Sequence, residues 1–363
     1  MNGTQLYEIV ETYERLGVHR AGTDVDWATV EWVDEQLVAR DLSTTSIDVP
    51  FDRYVAGVRL EADGVEITAD PLFYEWTGSI DTVDVDVELL EPKAAGGRTG
   101  SLAAATGARR DAEALVIATD HPDGSLVGIN RVAEIQSGRP TVLIAARDHD
   151  RVAGATEVRL RFDARLEPAT TTNLEARNEL NGAPLLITTP LTGWFTCAGE
   201  RGTGLAVTLA LAERFADRPM LVLATGAHEL DYLGVRRWVA STPERPRAIV
   251  HVGASVAVED PTDDGGRALV PTRLAMTDAT GEAADRIGAA LEPAGFHYRP
   301  GTDGWLGESE VFCEMGISML SFTGSGRTFH TPEDLAARVT SPASLELVAQ
   351  AIGDAVEALL DGS

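Results

Sequence analysis

The sequence predicts an α/β protein in which helices sandwich a mainly parallel, mixed sheet, with a small β-rich insert. The chain has 363 residues, 44% of them hydrophobic, which allows a sizeable core and more than one ordinary domain. From residue 184 onward, short apolar runs alternate with longer stretches of helical periodicity. This alternation is typical of a mainly parallel sheet covered on both faces.

The N-terminal region predicts helices followed by strands. Apolar residues recur at helical spacing from residue 5 to 42 and are interrupted at 19–22, which indicates two helices joined by a turn. Residues 46–92 then change to short alternating runs, typical of strands with one solvated face.

A small inserted domain is predicted at 76–160. Two apolar runs, 114–118 and 141–145, have the length and composition of buried strands. The flanking residues 1–75 and 161–363 would then form one discontinuous α/β domain.

The remaining predicted elements alternate along the chain. Strands are predicted over 184–189, 219–225, 247–256 and 317–323. Helices are predicted over about 201–216, 229–240, 280–293, 332–338 and 343–360. Because ligands bind beyond the carboxyl ends of strands in open α/β sheets, the residues directly after each strand are the candidates for function.

The charge balance excludes several partners. The chain has 57 Asp and Glu against 30 Lys and Arg, and its formal net charge is −27. So acidic a surface repels phosphate backbones and anionic lipids, which argues against nucleic-acid and membrane-surface binding. Lys93 is the only lysine. This composition fits adaptation to a salty cytosol, in which ions screen the self-repulsion, and a high-GC codon bias would explain it equally well.

The cysteine count and the hydropathy pattern further limit the class of protein that this sequence can form. Cys197 and Cys313 are the only cysteines, so no disulfide framework or zinc-knuckle spacing exists, and a metal site would depend on His and carboxylates. The sequence contains no run of 18 apolar residues, and its first residues do not have the pattern of a secretion signal. We therefore expect a soluble, cytoplasmic protein. The oligomeric state stays open.

Three loops that follow predicted strands carry unusual polar residues. They are 192–204, 226–229 and 328–334, which contain Glu200, the pair His228-Glu229, and His330. One His and two carboxylates from separate strand ends can hold a zinc ion and leave a fourth position for water. Zinc lowers the pKa of that water, and His228 could serve as the base beside it.

Each candidate also has a structural interpretation. Thr331 as N-cap with Pro332 after it would begin a helix without any metal, and Glu200 suits a helix N-terminus. Cys197 could be a nucleophile with His228 as its base, or a small buried core residue. Trp194, Trp305 and Phe329 could line an apolar pocket or simply pack. The glycines of the first loop match no phosphate-binding motif, so nucleotide binding is disfavoured.

These loops together resemble the zinc aminopeptidase family, whose relatives include glutaminyl cyclase, glutamate carboxypeptidase and the transferrin receptor ectodomain. The resemblance covers most of the chain. It rests on Leu16–Thr23 as the opening helix turn, on 76–160 as a protease-associated insert, and on Asn173–Ala176 as a strand entering the catalytic sheet. Its most specific parts are Gly316–Ser318 and the ending Phe329–Asp334.

The resemblance implies that part of the family's two-zinc site has been lost. Family members bind two zinc ions through a His-x-Asp pair, a bridging Asp, a Glu-Glu pair, a later Asp and a final His. Three of those positions carry residues that cannot act as such ligands, namely Pro190, Thr192 and Gly253. The bridging Asp corresponds to Glu200 and is followed by Arg201 instead of Asn, the Glu-Glu pair corresponds to His228-Glu229, and the final His is His330.

By this resemblance, Glu200, Glu229 and His330 are the candidate ligands of a single zinc, similar to the arrangement in glutaminyl cyclase. His228 would act as the general base, and Arg201 would hold an anionic group of the substrate. The implied function is a mononuclear hydrolase of an amide or N-acyl bond in a small molecule or peptide. Two alternatives stay open: a metal-free homologue with a binding role, and acyl transfer by Cys197 with His228 or by cyclase-type chemistry.

Overall fold

The structure is a computed structural model that describes residues 1–90, 112–119, 121–136 and 138–361. Residues 91–111 of the predicted insert lie outside the described residues. The strands, numbered along the chain, are β1 Ser43–Ala62, β2 Val65–Ile67, β3 Ala69–Pro71, β4 Gly78–Thr82, β5 Val85–Leu90, β6 Ala114–Thr119, β7 Thr141–Ala145, β8 Val158–Arg177, β9 Leu185–Pro190, β10 Met220–Thr225, β11 Ala248–Val252, β12 Glu259–Pro261, β13 Arg267–Leu269, β14 Leu274–Thr277, β15 His297–Arg299 and β16 Met319–Thr323.

The described helices flank these strands. They are α1 Gly3–Leu16, α2 Asp24–Val38, α3 His149–Ala153, α4 Thr203–Arg214, α5 Leu233–Ser241, α6 Gly281–Leu291, α7 Ser309–Phe312, α8 Ala336–Val339 and α9 Pro342–Asp361. Helix α1 begins with a capping box, in which Asn2 and Gln5 each accept a hydrogen bond from the other's backbone N–H. No helix in the described part of the chain is long and apolar enough to cross a membrane.

The main sheet has ten strands in the order β15-β14-β16-β11-β9-β10-β8-β1-β2, with β4 also paired to β8. Its centre, β16-β11-β9-β10, is parallel, and β8 and β14 flank it antiparallel. The four central strands are almost entirely buried, as expected when helices cover both faces. The predicted fold class, a mainly parallel but mixed sheet between helices, is confirmed.

Successive side chains of the central strands enter two different cores. Leu186, Leu221 and Ile249 pack with residues of α5 and α7 on one face. Leu185, Ile187 and Val222 join the larger core on the other face, where α1, α4, α6 and α9 pack. Alternation of this kind follows from the two-residue period of a strand.

A long antiparallel ribbon of β1 and β8 connects this sheet to a second, smaller one. The ribbon pairs Ser43 with Arg177 at one end and Ala62 with Val158 at the other. A four-stranded sheet in the order β3-β7-β6-β5 follows it. Because β3 lies at 69–71, this sheet begins before the boundary predicted at residue 76; the domain division itself stays a prediction.

Two helices begin later than the sequence predicts. Residues 228–232 form turns, in which Asp231 and Tyr232 have positive φ angles, so α5 begins at Leu233 rather than near 229. Residues 328–334 are also turns, and α8 begins only at Ala336. The helix start considered at Thr331 and Pro332 does not form, which leaves His330 free to turn toward other loops.

Candidate functional site

The carboxyl ends of β9 and β10, together with the loop after β16, bring the three predicted loops into contact. The loop after β9 passes through Cys197 in a left-handed conformation (φ 50°) and enters a π-helical turn, Ala198–Gly202, that leads into α4. Asp334 holds this turn, since its carboxylate accepts hydrogen bonds from the N–H of Gly199 (3.0 Å) and of Glu200 (2.8 Å). Burial raises the pKa of Asp334 to about 7.

Glu229 is fixed by its neighbours after β10. Thr192 donates its hydroxyl to Glu229 Oε2 at 2.8 Å, and the N–H of His228 donates to the same hydroxyl oxygen at 3.1 Å. The Glu229 side chain is only 4% exposed, so its carboxylate needs the partners that the loop supplies.

His330 reaches the site from the third loop. It has a positive φ of 61°, and its Nε2 lies 3.1 Å from Glu200 Oε1. Its Nδ1 lies 3.1 Å from the carbonyl oxygen of Gly128, in the segment before β7. Both ring nitrogens therefore face acceptors, and the ring stacks on Phe329 with centroids 4.1 Å apart.

Arg201 occupies the centre of this group. Its Nη2 lies 2.9 Å from Glu200 Oε1 and 2.9 Å from Glu229 Oε1, and its Nε donates to the Thr192 carbonyl at 2.7 Å. The side chain is 1% exposed. Burial alone would lower the pKa of Arg201, but Glu200 and Glu229 outweigh that effect and raise it, so the guanidinium stays charged.

The same contacts act on the carboxylate of Glu200. Burial would raise its pKa, but Arg201 and His330 together lower it well below the usual range. Neither Glu200 oxygen makes a hydrogen bond of good geometry within the described residues, although Arg201 Nη2 and His330 Nε2 lie 2.9 Å and 3.1 Å from Oε1. The site is a buried cluster in which Arg201 pairs with two carboxylates.

This arrangement does not fit a zinc ion. Glu200, Glu229 and His330 do come together, as the sequence predicts of zinc ligands. The position between the two carboxylates is held by a guanidinium nitrogen, whereas zinc needs its oxygen and nitrogen ligands at about 2.0–2.2 Å. Within the described residues, no group of three or more His, Cys, Asp or Glu is arranged to hold a metal ion.

Arg201 is also placed differently from its expected role. We expected it to hold an anionic group of a substrate, but its two ion pairs lie with the chain's own carboxylates. Nη1 has no hydrogen-bond partner within the described residues, but the side chain is almost completely buried, so an incoming anion has little access to it.

His228 lies beside the cluster but faces a carboxylate that the sequence analysis missed. Its Nδ1 lies 3.1 Å from Glu308 Oε1, and Glu308 also accepts the Thr225 hydroxyl at 2.8 Å. Burial, followed by the charge of Arg201, lowers the pKa of His228 to about 3, so its imidazole is neutral near pH 7. Burial raises the pKa of Glu308. Glu308 precedes the short helix α7, where an acidic residue ordinarily marks a helix start, so no local pattern distinguishes it as a site residue.

Cys197 is inaccessible. It is 1% exposed, and burial followed by the charge of Glu200 raises the pKa of its thiol well above the usual value. A Cβ at Gly193 would lie 2.4 Å from its sulfur, which explains a glycine at that position. These surroundings favour the structural interpretation of Cys197 over the nucleophile.

A cavity of about 310 Å³ opens beside Glu229 and is lined by β1, by β3 of the small sheet and by the turn between α1 and α2. Of the three aromatic residues considered for a pocket wall, Trp194 lines it and stacks on Phe73 with centroids 4.7 Å apart. Phe329 instead stacks on His330, and Trp305 packs against the core formed with α5 and α7.

Comparison with known proteins finds similarity in structure alone. No protein-family model matches the chain, and no curated protein matches it. A zinc aminopeptidase from Bacillus subtilis is 16% identical, with a TM-score of 0.73, over 98% of this chain and 94% of that one. A peptidase M28 precursor from Shewanella amazonensis is 17% identical, with a TM-score of 0.74, over 97% of this chain and 94% of that one.

An aminopeptidase from Aneurinibacillus sp. strain AM-1 is 17% identical, with a TM-score of 0.63, over 98% of this chain and 93% of that one. The chain therefore has the zinc aminopeptidase-like fold over nearly its whole length. This confirms the resemblance at the level of the fold.

Proposed function

We propose that this chain is a metal-independent ligand-binding protein built on the zinc aminopeptidase-like fold, in which Arg201 supplies the cation at the centre of the site. The observation that carries the proposal is the position of Arg201 Nη2, 2.9 Å from a carboxylate oxygen of both Glu200 and Glu229. The ligand would occupy the adjacent cavity, which reaches Glu229.

A guanidinium can pair with two carboxylates, but its single charge balances only one of them, and it cannot replace zinc chemically. It has no open coordination position, so it cannot bind a water molecule as a Lewis acid and lower its pKa. The base proposed for such a water is also a weak one, since burial lowers the pKa of His228 to about 3. In addition, the three positions that correspond to other zinc ligands of the family carry Pro190, Thr192 and Gly253, which cannot act as such ligands.

The second candidate function is the mononuclear zinc hydrolase acting on an amide or N-acyl bond. The convergence of Glu200, Glu229 and His330 favours it. To bind zinc through these residues, Arg201 would have to leave both carboxylates and find a new position within a closed interior. The thiol alternative is less favoured, because Cys197 is buried and its pKa is raised.

Metal analysis of wild type and one variant separates the two candidates. We expect purified wild-type protein dialysed against zinc to retain far less than one zinc per chain and to hydrolyse no amide or N-acyl substrate. Arg201→Asn removes the internal cation and leaves Glu200, Glu229 and His330 free, so we expect this variant to bind zinc and to unfold at a higher temperature in its presence.

The matched control is Arg273→Asn, because Arg273 is also buried but donates to carbonyl oxygens rather than to carboxylates. This variant should gain no zinc affinity. One tightly bound zinc in the wild type, together with an amidase activity that Glu229→Ala abolishes, would establish the hydrolase instead.

A further inference from the structure

The cavity beside Glu229 has an aromatic wall. Phe73 stacks on Trp194, and Tyr54 meets the edge of Phe73 with centroids 5.8 Å apart. The volume of about 310 Å³ lies at the lower end of the range for small-molecule sites. A flat apolar group of modest size would be covered by these rings.

Two arginines line the same cavity, and each donates a hydrogen bond to a backbone carbonyl but forms only a long ion pair with a carboxylate. Arg20 Nη2 lies 3.5 Å from Asp70, and Arg53 Nη2 lies 3.4 Å from Glu167. Strong charge-assisted hydrogen bonds are shorter, about 2.7–2.9 Å. Arg53 Nε is buried and has no hydrogen-bond partner among the described residues.

Of the two carboxylates that line the cavity, Glu229 has little capacity left for a cationic ligand, and Asp70 lies beside a guanidinium. Glu229 is bound by Arg201 through one oxygen and by Thr192 through the other. Asp70 is paired with Arg20, whose guanidinium already lies over the face of Phe73, 4.7 Å from the ring centroid. An ammonium group entering here would meet two guanidinium groups and an occupied aromatic face.

We propose that this cavity binds a small carboxylic acid with a flat apolar body, its carboxylate at Arg20 and Arg53 and its body against Tyr54 and Trp194. The proposal rests on the proposed binding function and names the ligand class of that site. Arginine is suited to this role because its planar donors match the two oxygens of a carboxylate.

Calorimetric titration of the full-length protein with matched ligands tests the proposal. We expect 3-phenylpropanoate to bind, and its uncharged analogue 3-phenylpropanamide to bind about tenfold more weakly or worse, since the amide loses the charge-assisted hydrogen bonds. Acetate should bind more weakly than 3-phenylpropanoate, because it has no ring to bury. Equal affinity for acid and amide, tightest binding of 3-phenylpropylamine, or no binding of any acid would overturn the proposal.

A pair of variants on one strand locates the binding. Arg53→Gln should weaken 3-phenylpropanoate about tenfold, because the side chain lines the cavity. Arg59→Gln is the matched control, since Arg59 also lies on β1 but is 54% exposed and pairs with Glu61. Equal affinity in wild type and Arg53→Gln would overturn the location. If Arg53→Gln does not fold, the ligand series on the wild type still decides the ligand class.

A chelator separates this proposal from the proposed function. We expect EDTA to leave the affinity for 3-phenylpropanoate unchanged, because arginines hold the carboxylate. Loss of binding in EDTA that added zinc restores would mean that a metal holds the carboxylate, and both proposals would fail. Zinc in the wild type with EDTA-insensitive binding would overturn only the metal-independent function.

Discussion

Gly128 and His330, 202 residues apart in sequence, are joined by two hydrogen bonds. The N–H of Gly128 donates to the carbonyl of His330 at 2.8 Å, and His330 Nδ1 lies 3.1 Å from the carbonyl oxygen of Gly128. Because His330 Nε2 also faces Glu200, this contact connects the segment before β7 to the buried charge cluster. The same glycine lies against Trp194, which lines the cavity.

Gly128→Ala should therefore disturb stability and ligand binding together. A Cβ at this position would lie 2.8 Å from the Trp194 side chain, closer than packed atoms allow, so we expect a loss of about 1–3 kcal/mol in the free energy of unfolding. Urea unfolding measures this loss, and calorimetry should show weaker carboxylate binding as Trp194 shifts. Gly304→Ala is the control, since a Cβ there meets nothing within 4 Å. Equal stability of the two variants would contradict the prediction.

Arg201→Met should be strongly destabilising in the absence of zinc. It leaves Glu200 and Glu229 as uncompensated buried charges, and breaking a buried ion pair in this way costs about 3–5 kcal/mol. The matched control is Arg286→Met, which breaks the exposed pair with Glu282 and should cost less than about 1 kcal/mol. Urea unfolding of both variants gives the comparison. A small loss for Arg201→Met would mean that the cluster does not depend on its central cation.

His19 should make stability depend on pH below neutrality. It is fully buried, stacks on Tyr13, and burial lowers its pKa from 6.5 to about 4. The unfolded chain therefore binds a proton that the folded chain excludes, so stability is fully present above pH 6.5 and is lost as the pH falls toward 4. The shift in the pKa of His19 corresponds to a change of about 3 kcal/mol in the free energy of unfolding.

Unfolding of wild type and His19→Gln across this pH range measures the effect. Relative to the variant, the wild type should lose stability as the pH falls. His297→Gln serves as the control because His297 is exposed, and its curve should run parallel to that of the wild type. Parallel curves for wild type and His19→Gln would show that the folded chain accepts the proton on His19.

The two cysteines should differ in reactivity. Cys197 is buried with a raised thiol pKa, whereas Cys313 is exposed. Treatment of the folded protein with iodoacetamide should therefore modify Cys313 and leave Cys197 unmodified, as mass spectrometry of peptides can show. A Cys313→Ser variant should remain unlabelled until it is unfolded. Faster labelling of Cys197 than of Cys313 would contradict this prediction and support Cys197 as a nucleophile.

The regular part of the fold could be predicted because its signals are local. The segments that form β9, β10 and β16 are mostly apolar and almost entirely buried, as is typical of strands covered on both faces. By contrast, β14 and β15 are only four and three residues long and lie outside the parallel centre of the sheet. Such short segments carry too few residues for a periodic pattern, and the sequence analysis did not find them.

Most residues of the candidate site could be predicted from the sequence, but the way in which their side chains are arranged could not. The sequence places Glu200, Glu229 and His330 in loops that follow β9, β10 and β16, and the structure brings these side chains together around Arg201 and Glu200. The direction of the Arg201 side chain depends on the π-helical turn that Asp334 holds from 134 residues away in sequence, which no local pattern reveals. Glu308 became part of the site for the same reason, through a tertiary contact with His228.

The salt bridges of Arg201 have a consequence for where such a protein can work. A positive charge attached covalently to the backbone is present in every copy from the moment of synthesis, at a fixed stoichiometry. No chelator can strip it away, no competing ion can displace it, and no shortage in the surroundings can leave the centre empty. Folding of this interior would therefore be independent of metal supply.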